Sequence, residues 1–326
     1  MNVDQHREAV AASERWFVAH GLPYFVHGHN TEVREALRLT RLVPVATTAV
    51  VLALVAGAAF GWWRDDLTGG IAIGSVVLGL VLLGYALGAL KVASIIRWAV
   101  GQTFGSLNWV FPLITRALPL LLLFITFLFI NTEVWQVASS LDRGLLWLTV
   151  LLFATVAVAF LLVRLPEEVR AVRDDARGER LRTLCAGTPV ESVAADVAGS
   201  AEDVRLGPLQ RANLVLVLLF SQALQVALLS LAVFVFFLVF GNVAISDSVV
   251  ESWLGEGHPS DLPTASWLPV SNELFQVSTF LAAFSGLYFT VYAVTDQTYR
   301  EQFFTSITRD LERAVGVATV YRTLLR

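Results

Sequence analysis

The chain has 326 residues, 56% of them hydrophobic and 15% charged, with a net charge of −4 and a mean hydropathy of +0.66. Its apolar residues lie in long runs rather than scattered through amphipathic elements, which excludes an ordinary soluble globule, and the mildly acidic balance without a clustered basic face excludes nucleic acid as a partner. The only cysteine, Cys185, rules out an internal disulfide and a Cys-rich metal site.

Residues 1–43 are polar and charged, with no short apolar core and cleavage site, so the first hydrophobic run is expected to be a retained anchor. Positions 3–19 read as an amphipathic helix stopped by Gly21-Leu22-Pro23. Asn30 is placed to cap a second helix with Glu32 and Glu35 in its first turn. His20, His27 and His29 invite a metal reading through neutral imidazoles. No acidic or sulfur partner stands at convincing spacing, so an exposed juxtamembrane loop is the simpler expectation and no cofactor is called for.

A hydrocarbon core about 30 Å thick needs roughly 20 apolar residues of helix. Six stretches qualify: 44–63, 69–90, 117–137, 144–163, 213–240 and 273–294. The predicted fold is therefore an all-α polytopic membrane bundle, residues 44–295. Amphipathic cytoplasmic helices are expected at 1–43, in the loop 164–211 and at 296–326. With the N-terminus inside, one side receives all the basic residues except Arg64 and Arg143, while the other side holds Asp65, Asp66, Asp142, Asp247, Glu251, Glu256 and Asp261. The positive-inside rule then predicts that both termini are cytoplasmic in an inner membrane.

On the first two spans Gly57 and Gly61, Gly70 and Gly74, and Gly84 and Gly88 each stand four apart, a spacing that lets helix backbones approach. Packing of the two spans on each other is the first expectation and homodimerisation the alternative. The third span is bounded by Arg116 and Glu133, seventeen residues or about 25 Å apart on a helix, less than the hydrocarbon thickness. Arg116 can extend its guanidinium to the inner headgroups as an anchor. Glu133 then lies at or just within the outer boundary, unless the helix breaks at Asn131 and Glu133 enters the first turn of a new interfacial helix. Pro112 and Pro119 flank Arg116 and predict a kinked approach to this span.

Glu133-Val-Trp-Gln136 has an echo in Glu273-Leu-Phe-Gln276, each acid preceded by an asparagine (Asn131, Asn272) near the outer end of a span. Two carboxylates and two amides at one depth could share a proton or hold a cation, with Gln222 and Gln225 of the fifth span completing the site. The plainer reading of the glutamines is hydrogen bonding between helices.

In the central loop, Thr188-Pro189-Val190-Glu191 has the form of a capping box with proline at the first helical position. At the C-terminus Phe304, Ile307, Leu311, Ala314, Val315, Ala318, Tyr321 and Leu325 recur at helical spacing, a stripe expected to pack on the chain's own polar helices rather than on lipid or a partner. No phosphate loop, HExxH or Gly-x-Ser-x-Gly elbow is present.

Every basic residue except Lys91 is an arginine, a bias of GC-rich genomes. The words LPLLLLFITFLFINTEVWQVA and YREQFFTSITRDLERAVGVATVYRTLL resemble those of multi-pass integral membrane proteins of high-GC actinobacteria, a group without an assigned activity. The resemblance implies a membrane location and carries over no catalytic residue. The sequence thus predicts a non-enzymatic membrane protein that acts by assembly, with itself or with a membrane partner. The alternative is a small channel or transporter with an outward acidic vestibule.

Overall fold

The computed structural model describes residues 3–65, 67–105, 121–175, 180–197, 206–255, 260, 270–295 and 297–325. Arg116, Pro112 and Pro119 lie outside the described residues. Every regular element described is helical: α1 (Val3–Ala19), a 3-10 turn (Pro23–Phe25), α2 (His27–Ala36), α3 (Leu39–Arg64), α4 (Leu67–Gly88), α5 (Val92–Gly105), α6 (Leu121–Phe129), α7 (Thr132–Ser140), α8 (Arg143–Asp175), α9 (Arg180–Cys185), α10 (Glu191–Val197), α11 (Pro208–Ala244), α12 (Asp247–Leu254), α13 (Asn272–Thr295) and α14 (Gln297–Leu324). Among the described residues five helices, α3, α4, α8, α11 and α13, are long and apolar enough to cross a membrane, and a sixth span results if the bent pair α6–α7 is counted as one. The chain is an all-α membrane protein.

It divides into two compact units, one of residues 1–101, 167–220 and 307–326, the other of residues 102–166 and 221–306. In the first, the second half of α14 is the central rod. Leu311, Ala314, Val315, Val317, Ala318, Val320 and Tyr321 are all buried, so burial extends beyond the single stripe that the spacing predicts. Tyr321 packs edge-on against Phe17 of α1, and Gly316 lies against Leu184 and the buried Cys185 of α9. From Leu311 to Tyr321 the stripe therefore rests on the chain's own polar helices, whereas Leu325 is exposed and the side chains of Phe304 and Ile307 lie outside the described residues.

Two helix starts differ from the sequence reading. Helix α2 begins at His27, ahead of Asn30, because the Pro23–Phe25 turn already sets its direction; Asn30 lies inside the helix and donates to Tyr24 O (2.9 Å). The capping box at Thr188 does not form. Gly187 adopts φ +70°, and its N–H donates to the Glu191 carboxylate (2.9 Å), while the Thr188 hydroxyl turns back to Cys185 O (2.6 Å). The left-handed turn frees a different N–H from the one a capping box would serve.

In the second unit α11 and α13 run antiparallel. Gly241 meets Leu274, Phe234 stacks edge-on with Phe275 (5.6 Å) and Gly286 meets Ser230, so the numbers fall on one helix as they rise on the other. Helix α7 packs on α12 and α13.

Candidate functional site: a bent corner and a buried row of amides

Helix α6 ends at Phe129, and the chain turns through 75° into α7. Asn131 adopts an extended conformation, and its side chain accepts from the N–H groups of Glu133 (2.8 Å) and Val134 (3.1 Å). Of the two placements open to Glu133, the structure takes the break: the acid is exposed in the first turn of α7, where the helix dipole favours it. The straight span 117–137 is accordingly corrected to a helix that stops near 130. In an unbroken helix Phe129 O would accept from Glu133 N–H; with that donor taken by Asn131, Phe129 O accepts instead from Trp135 Nε1 (2.6 Å). Trp135 is 0% exposed, packed between Phe129 and Trp253 of α12. Replacing it by Phe keeps a ring but strands a buried carbonyl. The expected loss of stability is about 1–3 kcal/mol, read as a lower unfolding midpoint in detergent; an unchanged midpoint would deny the indole its role in the bend.

Glu273 has its own local partners. Its two carboxylate oxygens accept from Ser260 N–H (3.0 Å) and Ser260 Oγ (2.7 Å). Helix α13 is capped one residue earlier than the sequence suggests, by Ser271 Oγ accepting from Leu274 N–H (3.2 Å), while Asn272 N–H donates to Ser260 O (2.8 Å). Gln276 Nε2 donates to Leu141 O (3.1 Å) just past the end of α7, whereas Gln136 is exposed. The two similar words thus take different geometries.

Gln222 and Gln225 belong to another level. Gly241 marks where α11 meets Leu274, beside Glu273. Gln225 stands sixteen residues before it, about 24 Å along the helix. The seven candidates therefore do not converge on one site. What α11 does carry is a buried polar row: Ser221 Oγ, both amide atoms of Gln222 and Gln225 Oε1 are buried with no hydrogen-bond partner among the described residues, as are Gln276 Oε1 and Ser278 Oγ on α13. Other hydroxyls in the spans return a proton to their own helix, as Thr279 does to Phe275 O (2.7 Å), Ser285 to Leu281 O (2.6 Å) and Thr290 to Gly286 O (2.7 Å). No charged residue occurs in 144–163, 213–240 or 274–295, so these stretches offer no carboxylate at depth.

The glycines separate into two groups. A Cβ at Gly57 would lie 2.7 Å from Gly70 O, one at Gly70 would lie 2.7 Å from Gly57 O and 3.2 Å from Gly61 Cα, and one at Gly74 would lie 2.9 Å from Ala53 O. These four positions are used up in the α3–α4 contact. Gly84 and Gly88, with Gly79, have nothing within 4 Å. Trp62 (91% exposed) and Trp63 stand at the hairpin tip, with Arg64 over the Trp63 ring at 5.0 Å. The other end is tied down: Tyr85 OH donates to Ala36 O (2.6 Å), and Lys91 Nζ pairs with Glu32 (3.1 Å).

His20 stacks on Trp16 at 4.0 Å, and its Nδ1 lies 2.8 Å from Trp16 O; His27 is exposed and His29 half-buried. No group of three His, Cys, Asp or Glu side chains suited to a metal occurs among the described residues.

Sequence reasoning missed a polar hub in the first unit. Asn213 of α11 is 0% exposed; its Oδ1 accepts from Tyr24 N–H (2.9 Å) and its Nδ2 donates to Gly21 O (2.9 Å). Tyr24 OH donates to Leu90 O (2.6 Å), and burial pushes its pKa up to about 12. Tyr321 OH donates to Glu14 Oε1 (2.7 Å), and burial followed by that carboxylate raises its pKa. Burial also raises the Asp310 carboxyl, opposed by Arg313, His20 and Arg309. An asparagine as the first residue of an apolar run was the one signal available. No family model matches the chain, and no curated protein or solved structure is similar to it.

Proposed function

We propose that this integral membrane protein is not an enzyme and acts by assembly, with the α3–α4 hairpin as its docking arm and both termini on the cytoplasmic side of an inner membrane. The orientation rests on the one-sided arginines. The observation that carries the assembly reading is the hairpin's burial. On α3 only Ala49 and Ala53 are buried, the shared stripe faces α4, and the remaining faces of both helices are exposed from Val50 to Trp63 and from Ile71 to Leu83. Without a hydrophobic drive inside lipid, helices associate where small residues permit close approach, and Gly79, Gly84 and Gly88 are free for that. Replacing Gly84 and Gly88 together by Leu is expected to weaken self-association or capture of a membrane partner about tenfold, measured by cross-linking in native membranes and by mass in mild detergent. A wild-type chain that stays solitary in both would sink the reading.

A second reading, passage of a cation or proton, has one observation in its favour: both amide atoms of Gln222 and the amide oxygens of Gln225 and Gln276 are buried with no hydrogen-bond partner among the described residues. It predicts flux in proteoliposomes that depends on Gln222.

A further inference from the structure

Small residues do opposite things in the two units. On α3 and α4 they are pressed together. In the second unit α8 presents Ala154 and Ala157, α11 presents Ala223 and Ala227, and α13 presents Ala283 and Gly286, and between them remains a cleft of about 260 Å³. Only Ser230 and Gly286 close up, the hydroxyl resting where a Gly286 Cβ would be. Small side chains on three helices would normally draw the backbones together; here the space is kept.

Its shape is specific. One end is formed by Val150 and Phe153, the phenylalanine ring packing edge-on against Phe280 (5.7 Å) and Phe284 (5.9 Å). The other end is formed by Leu161 and Thr290, the latter with its proton committed to Gly286 O. Phe153 to Leu161 is eight residues, or about 12 Å of helix. The mouth lies at Ala154 and Ala227, both exposed on the apolar surface of membrane-length helices. Only a molecule dissolved among lipid tails reaches such a mouth. The walls offer two hydroxyls and no charge, which rules out headgroups, sugars and nucleotides. The volume is just below the range of about 300–1,000 Å³ usual for drug-sized ligands. A zigzag hydrocarbon advances roughly 1.3 Å per carbon, so about nine or ten carbons span the length. An apolar space of this size left empty is strongly unfavourable.

We propose that the cleft between α8, α11 and α13 is a binding site for the end of one acyl chain of a bilayer phospholipid, inserted laterally past Ala154 and Ala227. The site is independent of the docking arm on α3 and α4, so either idea can fail alone.

The test uses the full chain in nanodiscs of phosphatidylcholine containing a small fraction of the same lipid with a diazirine near its chain end. After irradiation, adducts are mapped by peptide. Residues 223–230 and 283–290 are expected to carry about tenfold more adduct than the lipid-exposed faces of α3 and α4. Ala227→Phe should remove that excess and leave labelling of α3 and α4 unchanged. Ala154→Phe, from the α8 wall, provides a second filling variant should the first fold poorly. Equal labelling of cleft and hairpin, or an excess that survives both substitutions, overturns the proposal. So does an excess displaced by free decanoate, which would assign the cleft to a free fatty acid.

Discussion

Asn213→Leu is expected to destabilise the protein by about 4 kcal/mol, the largest loss from any single polar side chain described above. The amide joins two backbone groups that no helix satisfies. Gly21 sits at φ +71° in a left-handed turn, where a Cβ would also press on Trp98 at 3.0 Å, and Tyr24 lies in a single 3-10 turn. Asn213 donates to the carbonyl of the first and accepts from the N–H of the second. Leucine would leave both buried and unpaired, at roughly 1–3 kcal/mol each. The damage should spread, because Tyr24 also holds Leu90 O through its hydroxyl. Asn213→Asp is expected to do no better: one oxygen still accepts from Tyr24, but the other then faces the Gly21 carbonyl without a proton. Unfolding midpoints in detergent and tryptic cleavage at Arg34 or Arg38 measure the effect. Midpoints and cleavage rates equal to wild type would remove Asn213 as the tie between α1, α2 and α11.

How much of this was legible in advance depends on the range of the force involved. The spans were legible because lipid demands about 20 apolar residues in succession, a local and unbroken signal. The turn at Asn131 was legible as one of two outcomes, since Asn followed by Glu is a cap whether or not the chain bends there; nothing in the sequence says that Trp135 will take over the Phe129 carbonyl. The partners of Asn213 lie 189 and 192 residues away, and no spacing rule spans that distance. Glu273 looked available because Ser260, thirteen residues upstream in a loop, gave no sign of folding back to it. The glycines teach the same lesson. Gly57 and Gly84 occupy equivalent patterns, yet one is packed against a backbone carbonyl and the other is open. A small residue permits close approach, and only the partner helix decides whether the approach occurs.

Gln222→Met should act in the opposite sense, raising stability by about 2 kcal/mol. The side chain is 0% exposed, and both its amide atoms lack a partner among the described residues. Leu218, Leu229 and Val233, which share its helix face at −4, +7 and +11, are apolar and buried, and its polar neighbours Ser221 and Gln225 make no hydrogen bond to it. An amide in such surroundings has lost its hydration and gained nothing, whereas methionine keeps the length and volume and removes the deficit. For a chain of this size the unfolding midpoint should rise by roughly 3 °C. Gln222→Glu should lower it, because a carboxylate at that depth is costlier than an amide. Asn213 lies nine residues away on the same helix, so opposite signs for the two amides would exclude any general effect of removing polarity from α11. A fall in the methionine variant would mean that Gln222 is bonded in the membrane. If the stabilised variant also lost ion flux in proteoliposomes that the wild type supports, the polar row would be a functional feature kept at the expense of stability. Unchanged flux, or none in either protein, leaves assembly as the reading.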